Sequence, residues 1–251
     1  MSLTKIIAIP DIQAPAHDEK AVATALAIVK GERPDILIQI GDLCDLQSLS
    51  RFKKRDWQEA RQTADKEIEA ANTILDRFDK VTPKTTKKIF LEGNHDKRLE
   101  LFFVQNAAQL GESFKGIAIE EQLRLDERGY EYIRIKNQPY RVGHVGFIHG
   151  WFVNKYHAFK TVNDGRESLI YGHTHDHQTF ISKHLDREQP SIGMSIGCLC
   201  DFRQPYLNGR PTNWSHGVAV VYVDQKTGFF WPYFVPIING TAVFNGKTYN
   251  P

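Results

Sequence analysis

An α/β fold, with two sheets packed as one sandwich and helices outside, follows from three features of the sequence. "KIIAI" (5–9), "DEKAVATALAIVKG" (18–31) and "DILIQIGD" (35–42) read as strand, helix and strand. This is a βαβ unit, which requires a parallel pair joined by a right-handed crossover. The second half changes to short apolar runs separated by Gly, Asn, Asp and Pro, and strands so close in sequence favour a second, largely antiparallel sheet. Finally, no linker, internal repeat or low-complexity tract divides the halves, so residues 1–251 are expected to form a single domain.

The elements follow in chain order. Strand 5–9 is apolar and stops at "PDIQ". The helix 18–31 has Asp18 as N-cap and Gly31 just beyond its end. Strand 35–42 again ends in a carboxylate. Residues 56–79 carry apolar positions at helical spacing on a charged background, as an amphipathic helix lying on a sheet does. "KKIFLEGNHD" (87–96) is a third strand ending in polar residues, and 97–110 is helical. The stretch 97–137, polar and mixed, is expected as a helical cap insertion. The runs 140–151, 168–176, 178–185, 190–199, 216–224 and 228–237 are strands.

Composition narrows the function. The chain has 32 Lys plus Arg against 30 Asp plus Glu, a net charge of +2, so no chain-wide field argues for nucleic acid or a membrane surface. Three cysteines, Cys44, Cys198 and Cys200, fit neither a disulfide framework nor a C-x-x-C pair, which suits a reducing cytoplasm. The apolar run at the N-terminus is too short for a signal peptide, and no segment has the length of a membrane span. A soluble cytoplasmic protein without membrane partners is the expectation, with oligomeric state left open.

Five polar clusters stand at strand ends or tight turns: "DIQ" (11–13), "GDLCD" (41–45), "GNHD" (93–96), "HG" (149–150) and "GHTH" (172–175). Each supplies Asp, Asn or His, the residues that hold divalent metals through oxygen and imidazole. Asp11 and Asp42 both follow parallel strands, and ligand sites of open α/β sheets lie beyond the carboxyl ends of strands, so these carboxylates should meet in one crevice. Asp11 and Gln13, and likewise His173 and His175, would share a face of an extended segment.

In this order the five clusters resemble those of the calcineurin-like metallophosphoesterases, over residues 11–175. The resemblance implies a four-layer α/β/β/α sandwich of two mixed sheets with outer helices, holding two divalent ions. It casts Asp42 as the bridging carboxylate, with Asp11, Gln13 and His175 completing one site and Asn94, His149 and His173 the other. His95 is then the proton donor to the leaving group, and Asp45 the carboxylate that orients it. The implied reaction is hydrolysis of a phosphate ester by metal-activated hydroxide. Relatives mostly carry His where this chain has Gln13. A neutral amide oxygen shifts the site toward manganese or magnesium and away from zinc, so manganese leads, with magnesium, iron(II) and zinc as further candidates. The D-x-Q form resembles that of manganese-dependent ADP-ribose/CDP-alcohol diphosphatases and of phage-encoded phosphoesterases, for which the compartment would be the host cytoplasm.

Around this core, Arg98, His17 and His216 are candidate substrate contacts, Arg98 as a bidentate phosphate clamp. His144 reads as structural or exposed, and His157, His177 and His184 as surface residues. Cys44 reads as a small buried filler, and "RFKKR" (51–55) as a solvated basic cluster. "GDLCD" runs into Leu46 and Gln47 without the Arg-Gly of Ser/Thr protein phosphatases, and the third cluster is G-N-H-D, not G-N-H-E. Both departures favour a phosphodiesterase or nuclease acting on DNA, another nucleic acid or a nucleotide. The alternatives are a phosphomonoesterase or nucleotide diphosphatase, a nuclease subunit with an ATPase partner and, in a different class, a phosphoesterase fold kept as a protein-binding scaffold.

Overall fold

The computed structural model describes residues 2–51, 61–109, 117–204 and 207–251. The strands in the first half are β1 (Leu3–Ile9), β2 (Ile36–Gln39), β3 (Lys87–Leu91) and β4 (Tyr130–Ile133). Those in the second half are β5 (Tyr140–Val142), β6 (Val145–Ile148), β7 (Ser168–Tyr171), β8 (His177–Ser182), β9 (Ser191–Ile196), β10 (Gly217–Asp224) and β11 (Phe230–Pro236), followed by the hairpin β12 (Ala242–Phe244) and β13 (Lys247–Tyr249). The α-helices are α1 (Glu19–Glu32), α2 (Ala64–Val81), α3 (Arg98–Asn106), α4 (Ile119–Gln122) and α5 (His157–Gly165).

Two mixed sheets face each other, as the four-layer reading requires. The first has the order β11-β10-β1-β2-β3-β4, and the second β5-β6-β7-β9-β8. Alternation along β1 shows how one strand serves two layers. Ile6 and Ala8 join Ile38, Ile40, Ile89 and Leu91 against Phe147, Ile170, Met194 and Ile196 of the second sheet. Ile7 and Ile9 point the other way, into a core shared with Val22, Ala25, Ile28 and Val29 of α1 and Ile74, Leu75 and Phe78 of α2. Helix α5 lies on the second sheet, where Ala158 and Val162 reach Gly193 so closely that no larger residue would fit there.

Four sequence expectations are corrected. The second sheet is not largely antiparallel: β6, β7 and β9 run parallel, with β5 and β8 antiparallel at its edges. Helix α5, between β6 and β7, supplies the crossover that a parallel pair needs. Strands β10 and β11 extend the first sheet, β10 pairing antiparallel with β1 through Leu3↔Asp224 to Ala8↔Ala219. Within 97–137, Tyr130–Ile133 is the edge strand of the first sheet, parallel to β3. Helix α1 does not stop before Gly31; it runs to Glu32 and ends on Arg33 in the left-handed conformation. Gly31 lies under the ring of Tyr249, whose hydroxyl donates to Glu32 at 2.6 Å, so glycine answers a packing need rather than a cap. The N-cap at Asp18 stands, its carboxylate accepting from Ala21 N at 2.8 Å. Helix α2 begins at Ala64, and residues 52–60, which include most of "RFKKR", lie outside the described residues. Among the described residues no helix is long and apolar enough to cross a membrane.

Candidate metal centre and active site

The carboxyl ends of β1, β2, β3, β6 and β7 open onto one edge of the sandwich, and the five clusters follow these strands. Parallel pairing of β1, β2 and β3 on one side, and of β6 and β7 on the other, is what aims them at a common point. The seven expected ligand residues come together there. His175 Nε2 stands 3.3 Å from an Asp11 carboxylate oxygen and 3.3 Å from the Gln13 carboxamide nitrogen. His149 Nε2 stands 3.4 Å from Asp42 Oδ2 and 2.9 Å from Asn94 Oδ1. The His149 and His173 rings meet edge to face at 4.8 Å between centroids, and Asp42, His149 and His173 each present a ligand atom within 4.8 Å of the others. The His173 backbone N–H donates to both Asp11 oxygens, at 3.0 and 2.9 Å, which ties the fifth cluster to the first.

The local backbone differs from the extended segments expected. Gln13, Asp42, His173 and His175 all have positive φ, at 54°, 50°, 68° and 63°. Left-handed backbone is uncommon for residues with a side chain, and such strain concentrates at functional sites where surrounding contacts hold it. Here the contacts are visible. The Asp42 carbonyl accepts from Ile12 and Gln13 N–H at 3.1 and 2.9 Å, and the His95 N–H donates to Asp42 Oδ1 at 2.8 Å. A Cβ on Gly93 would collide with the Asp42 carboxylate, and one on Gly172 with that of Asp11. Glycine at these two places is therefore what lets the carboxylates approach the neighbouring loops.

Asp96, the last residue of "GNHD", was not expected in the site. It is fully buried and accepts from the backbone N–H of Asp42 at 2.8 Å, Gly93 at 3.0 Å and Cys44 at 3.2 Å, clasping the second and third clusters together. Glu67 of α2 acts similarly farther out, accepting from Gln47 N at 2.8 Å and from the Ser48 hydroxyl. Gln138 completes the frame, accepting from His149 N at 2.7 Å. Asp96 could have been suspected from its motif. Glu67 and Gln138 left no signal, because each acts only through backbone brought to it by folding.

Charge interactions in the cluster are strong. Burial alone would raise the Asp42 carboxyl, but the His149 and His95 imidazoles hold it well below the usual carboxylate range. Burial opposes charging of His149, yet Asp42 beside it lifts it to about 10. His175 is lifted to about 9 against burial by the Cys198 thiol group and Asp11. His173, desolvated and next to His149, falls to about 4. Asp96 is pushed up to about 7, first by burial and then by Asp42. These shifts describe a cavity of opposed charges packed closely together.

His95 stands apart from the ligand set. Its Nδ1 lies 3.0 Å from both the Asp45 carboxylate and the Asp45 carbonyl, and its Nε2 points back toward Asp42 Oδ2 at 3.8 Å. Arg98 donates to the Asp45 carbonyl at 2.8 Å and approaches His95 Nε2 at 3.0 Å. The other two candidate contacts are engaged elsewhere. His17 pairs with Glu19 at 3.3 Å, and His216 donates to the Cys200 carbonyl at 2.9 Å while its ring packs on Phe202. His144 and His177 are exposed and Cys44 is buried, as expected. His157 is not at the surface. It is buried between the Tyr171 hydroxyl at 2.7 Å and Asp176 at 3.1 Å, and it braces the segment next to His175.

An aromatic wall adjoins the centre. Trp214 stands against the His175 ring at 4.3 Å between centroids, and Phe202, partly exposed, stands beside Trp214. Neither residue was singled out in the sequence, because both lie in a late loop that folding returns to the fifth cluster.

Comparison with known proteins identifies the family. The chain is 27% identical over 256 residues to the Gene 54 protein of Mycobacterium phage L5, covering 98% of both chains. It is 26% identical over 264 residues to the Gene 54 protein of Mycobacterium phage D29, again with 98% of both covered. Among solved structures, the purple acid phosphatase PPD1 of yellow lupin (Lupinus luteus) seeds aligns with a TM-score of 0.45 at 12% identity, over 94% of this chain and 54% of that one. Residues 4–192 match the calcineurin-like phosphoesterase family, and the chain belongs to that family.

Proposed function

We propose that this member of the family is a metal-dependent phosphodiesterase or nuclease whose substrate is a nucleic acid or nucleotide. Phosphoester hydrolysis in general comes with the family; the diester, the nucleobase and the residue roles are our reading. The observation that carries it is the convergence of seven oxygen and imidazole donors from five strand ends, with an aromatic wall beside them.

The family implies two divalent ions, and the residues present fit them. Gln13 Oε1 is buried with no hydrogen-bond partner, an acceptor left over for a cation. His149 donates from Nδ1 to the Ile40 carbonyl at 3.0 Å, the orientation that keeps Nε2 as the donor atom of a metal-binding imidazole. In this reading Asp11, Gln13 and His175 would hold one ion and Asn94, His149 and His173 the other, with Asp42 contributing to both. The oxygen-rich set favours manganese. When bound, such a pair neutralises phosphoryl oxygens and supplies the nucleophile from water.

The rest falls to side chains of the chain. The Asp45 carboxylate accepts from His95 Nδ1, which fixes the ring and leaves Nε2 facing the centre, where a proton can pass to the departing ester oxygen. Arg98 now occupies that nitrogen's hydrogen-bonding direction. A substrate phosphate, a stronger partner for a guanidinium than a neutral imidazole, would draw it away and free the Nε2 lone pair to take up a proton from solvent, the proton that it then passes to the leaving oxygen. Phe202 and Trp214 offer a surface on which a base stacks, whatever its identity. Three free cysteines accord with a cytoplasmic setting, that of the host if the protein is phage-encoded.

The test is reconstitution of the metal-free chain with Mn²⁺, followed by hydrolysis of a chromogenic monoester and diester, single- and double-stranded DNA, cyclic nucleotides and ADP-ribose. Two Mn²⁺ per chain and faster cleavage of nucleotide diesters are expected. A preference for monoesters or for ADP-ribose would replace the diester reading. Binding of no Mn²⁺ with no hydrolysis would favour a scaffold.

A further inference from the structure

The chain places a second donor cluster of opposite chemical character behind the first. Cys198, Cys200 and His175 are all buried, and each offers a ligand atom within 4.8 Å of the other two. Cys200 Sγ lies 3.7 Å from His175 Nδ1, whereas His175 Nε2 faces Asp11 and Gln13. The segment that carries the thiols is fixed on several sides. Cys198 N–H donates to the Ser215 carbonyl at 2.9 Å, Leu199 N–H to the Asp11 carbonyl at 2.7 Å, and Asp201 N–H to the Ala16 carbonyl at 2.8 Å. His216 holds the Cys200 carbonyl, and Leu199 between the thiols belongs to the outer core. The thiols therefore meet His175 as part of a rigid frame rather than by chance approach of a loose loop.

We propose that Cys198, Cys200 and His175 Nδ1 form a binding site for a thiophilic d¹⁰ divalent cation, zinc or cadmium, and that its occupation antagonises the centre in front. Two thiolates and an imidazole match the preferences of such cations, and two thiolate charges balance a divalent ion in a buried place. Manganese and magnesium, which prefer oxygen, would stay on the Asp, Asn and Gln side. The antagonism follows from the ring itself. A neutral imidazole has a single lone-pair nitrogen, so a cation on Nδ1 leaves the proton on Nε2 and removes that nitrogen from the front ligand set. Binding then proceeds with both thiol protons and the Nδ1 proton released to solvent, two sulfur–metal bonds and one nitrogen–metal bond formed, and the remaining imidazole proton kept on Nε2. No oxidant or reductant takes part.

The experiment uses the full metal-free chain and reads spectra, not hydrolysis; the thiol site stands or falls apart from the phosphodiesterase reading, and only the antagonism rests on the Mn²⁺ centre of that reading. Titration with Cd²⁺ should give thiolate-to-cadmium charge-transfer absorption that saturates at one ion per chain. The absorption should persist in Cys44→Ser and vanish in the Cys198→Ser/Cys200→Ser double variant. Cadmium-113 NMR of the unmutated chain should report a mixed sulfur and nitrogen environment, which keeps the test sharp even if the double variant fails to fold. Mn²⁺ affinity, followed by electron paramagnetic resonance, should fall at least about tenfold after one Cd²⁺ is bound, the scale on which altering a ligand's partner affects metal sites. Absence of sulfur in the cadmium environment would overturn the site. Charge-transfer absorption with unchanged Mn²⁺ affinity would overturn the antagonism.

Discussion

His149 and His175 hold mirror places in the cluster, one beside Asp42 and Asn94, the other beside Asp11 and Gln13, yet their far sides differ. His149 Nδ1 faces a backbone carbonyl, that of Ile40 at 3.0 Å, and its ring is almost fully buried. His175 Nδ1 faces the Cys200 thiol at 3.7 Å and its ring rests on Trp214. A carbonyl can only accept, so it pins the tautomer of His149. A thiol both donates and accepts weakly, so His175 is left adjustable. The corner with Gln13, the weaker donor of the proposed ligand set, is thus also the corner with the less committed histidine. One end of the site is built as a fixed post and the other as an adjustable one.

Breaking the element common to both ends should have the largest effect. Asp42→Asn removes the carboxylate between the two groups of donors, and hydrolysis measured with Mn²⁺ should fall on the order of 10³-fold or more with loss of both ions by metal analysis. His95→Asn leaves both ends intact. It should lower kcat by roughly 10²–10⁴-fold while metal content holds, and loss of metal from a folded variant would contradict its role. Asp96→Ala frees the N–H groups of Asp42 and Gly93, and should weaken Mn²⁺ affinity by about 10–100-fold, read by calorimetry, with the Asp42 end suffering more than the Gln13 end.

The ends should also respond to pH. In the metal-free chain His149 keeps its proton to about 10 and His175 to about 9, and each proton must leave before a cation binds. Mn²⁺ affinity should therefore rise between pH 7 and 9, by up to about tenfold per pH unit for each proton displaced. Stability of the metal-free chain runs the opposite way. Both histidines are raised above their unfolded value of 6.5, so their contribution is complete below that pH and is lost as pH climbs through about 9 and then about 10. Thermal melts of the metal-free chain at pH 6, 8 and 10 would check the sign. The smallest effect is a gain: Gln13→His should strengthen binding at the adjustable end by about tenfold and shift its preference toward zinc, seen as one tightened step in a two-site titration.

The five clusters were legible because each is short and local, and each sits where an apolar run stops. Strand ends, glycines and ligand types all show in the letters of "GDLCD", "GNHD" and "GHTH". The sandwich was legible for a related reason, since alternation and the βαβ spacing are local patterns. Sheet membership was not. Strands β10 and β11 read as part of the second half, but β10 is apolar on both faces and takes the place beside β1, a choice that only long-range pairing makes.

The sequence by itself thus determined which donors the protein owns and that they cluster at the ends of parallel strands. Tertiary structure decided how they are aimed. Left-handed backbone at Gln13, Asp42, His173 and His175, in place of extended segments, is imposed by bonds from distant loops and by carboxylates such as Asp96 that bind several backbone N–H groups at once. The company of His175 was decided there too, because Cys198, Cys200 and Trp214 reach it only after the chain has returned along β9 and the loop before β10. Local sequence encodes donor type and strand period; orientation depends on contacts between residues far apart in the chain, which no local pattern records.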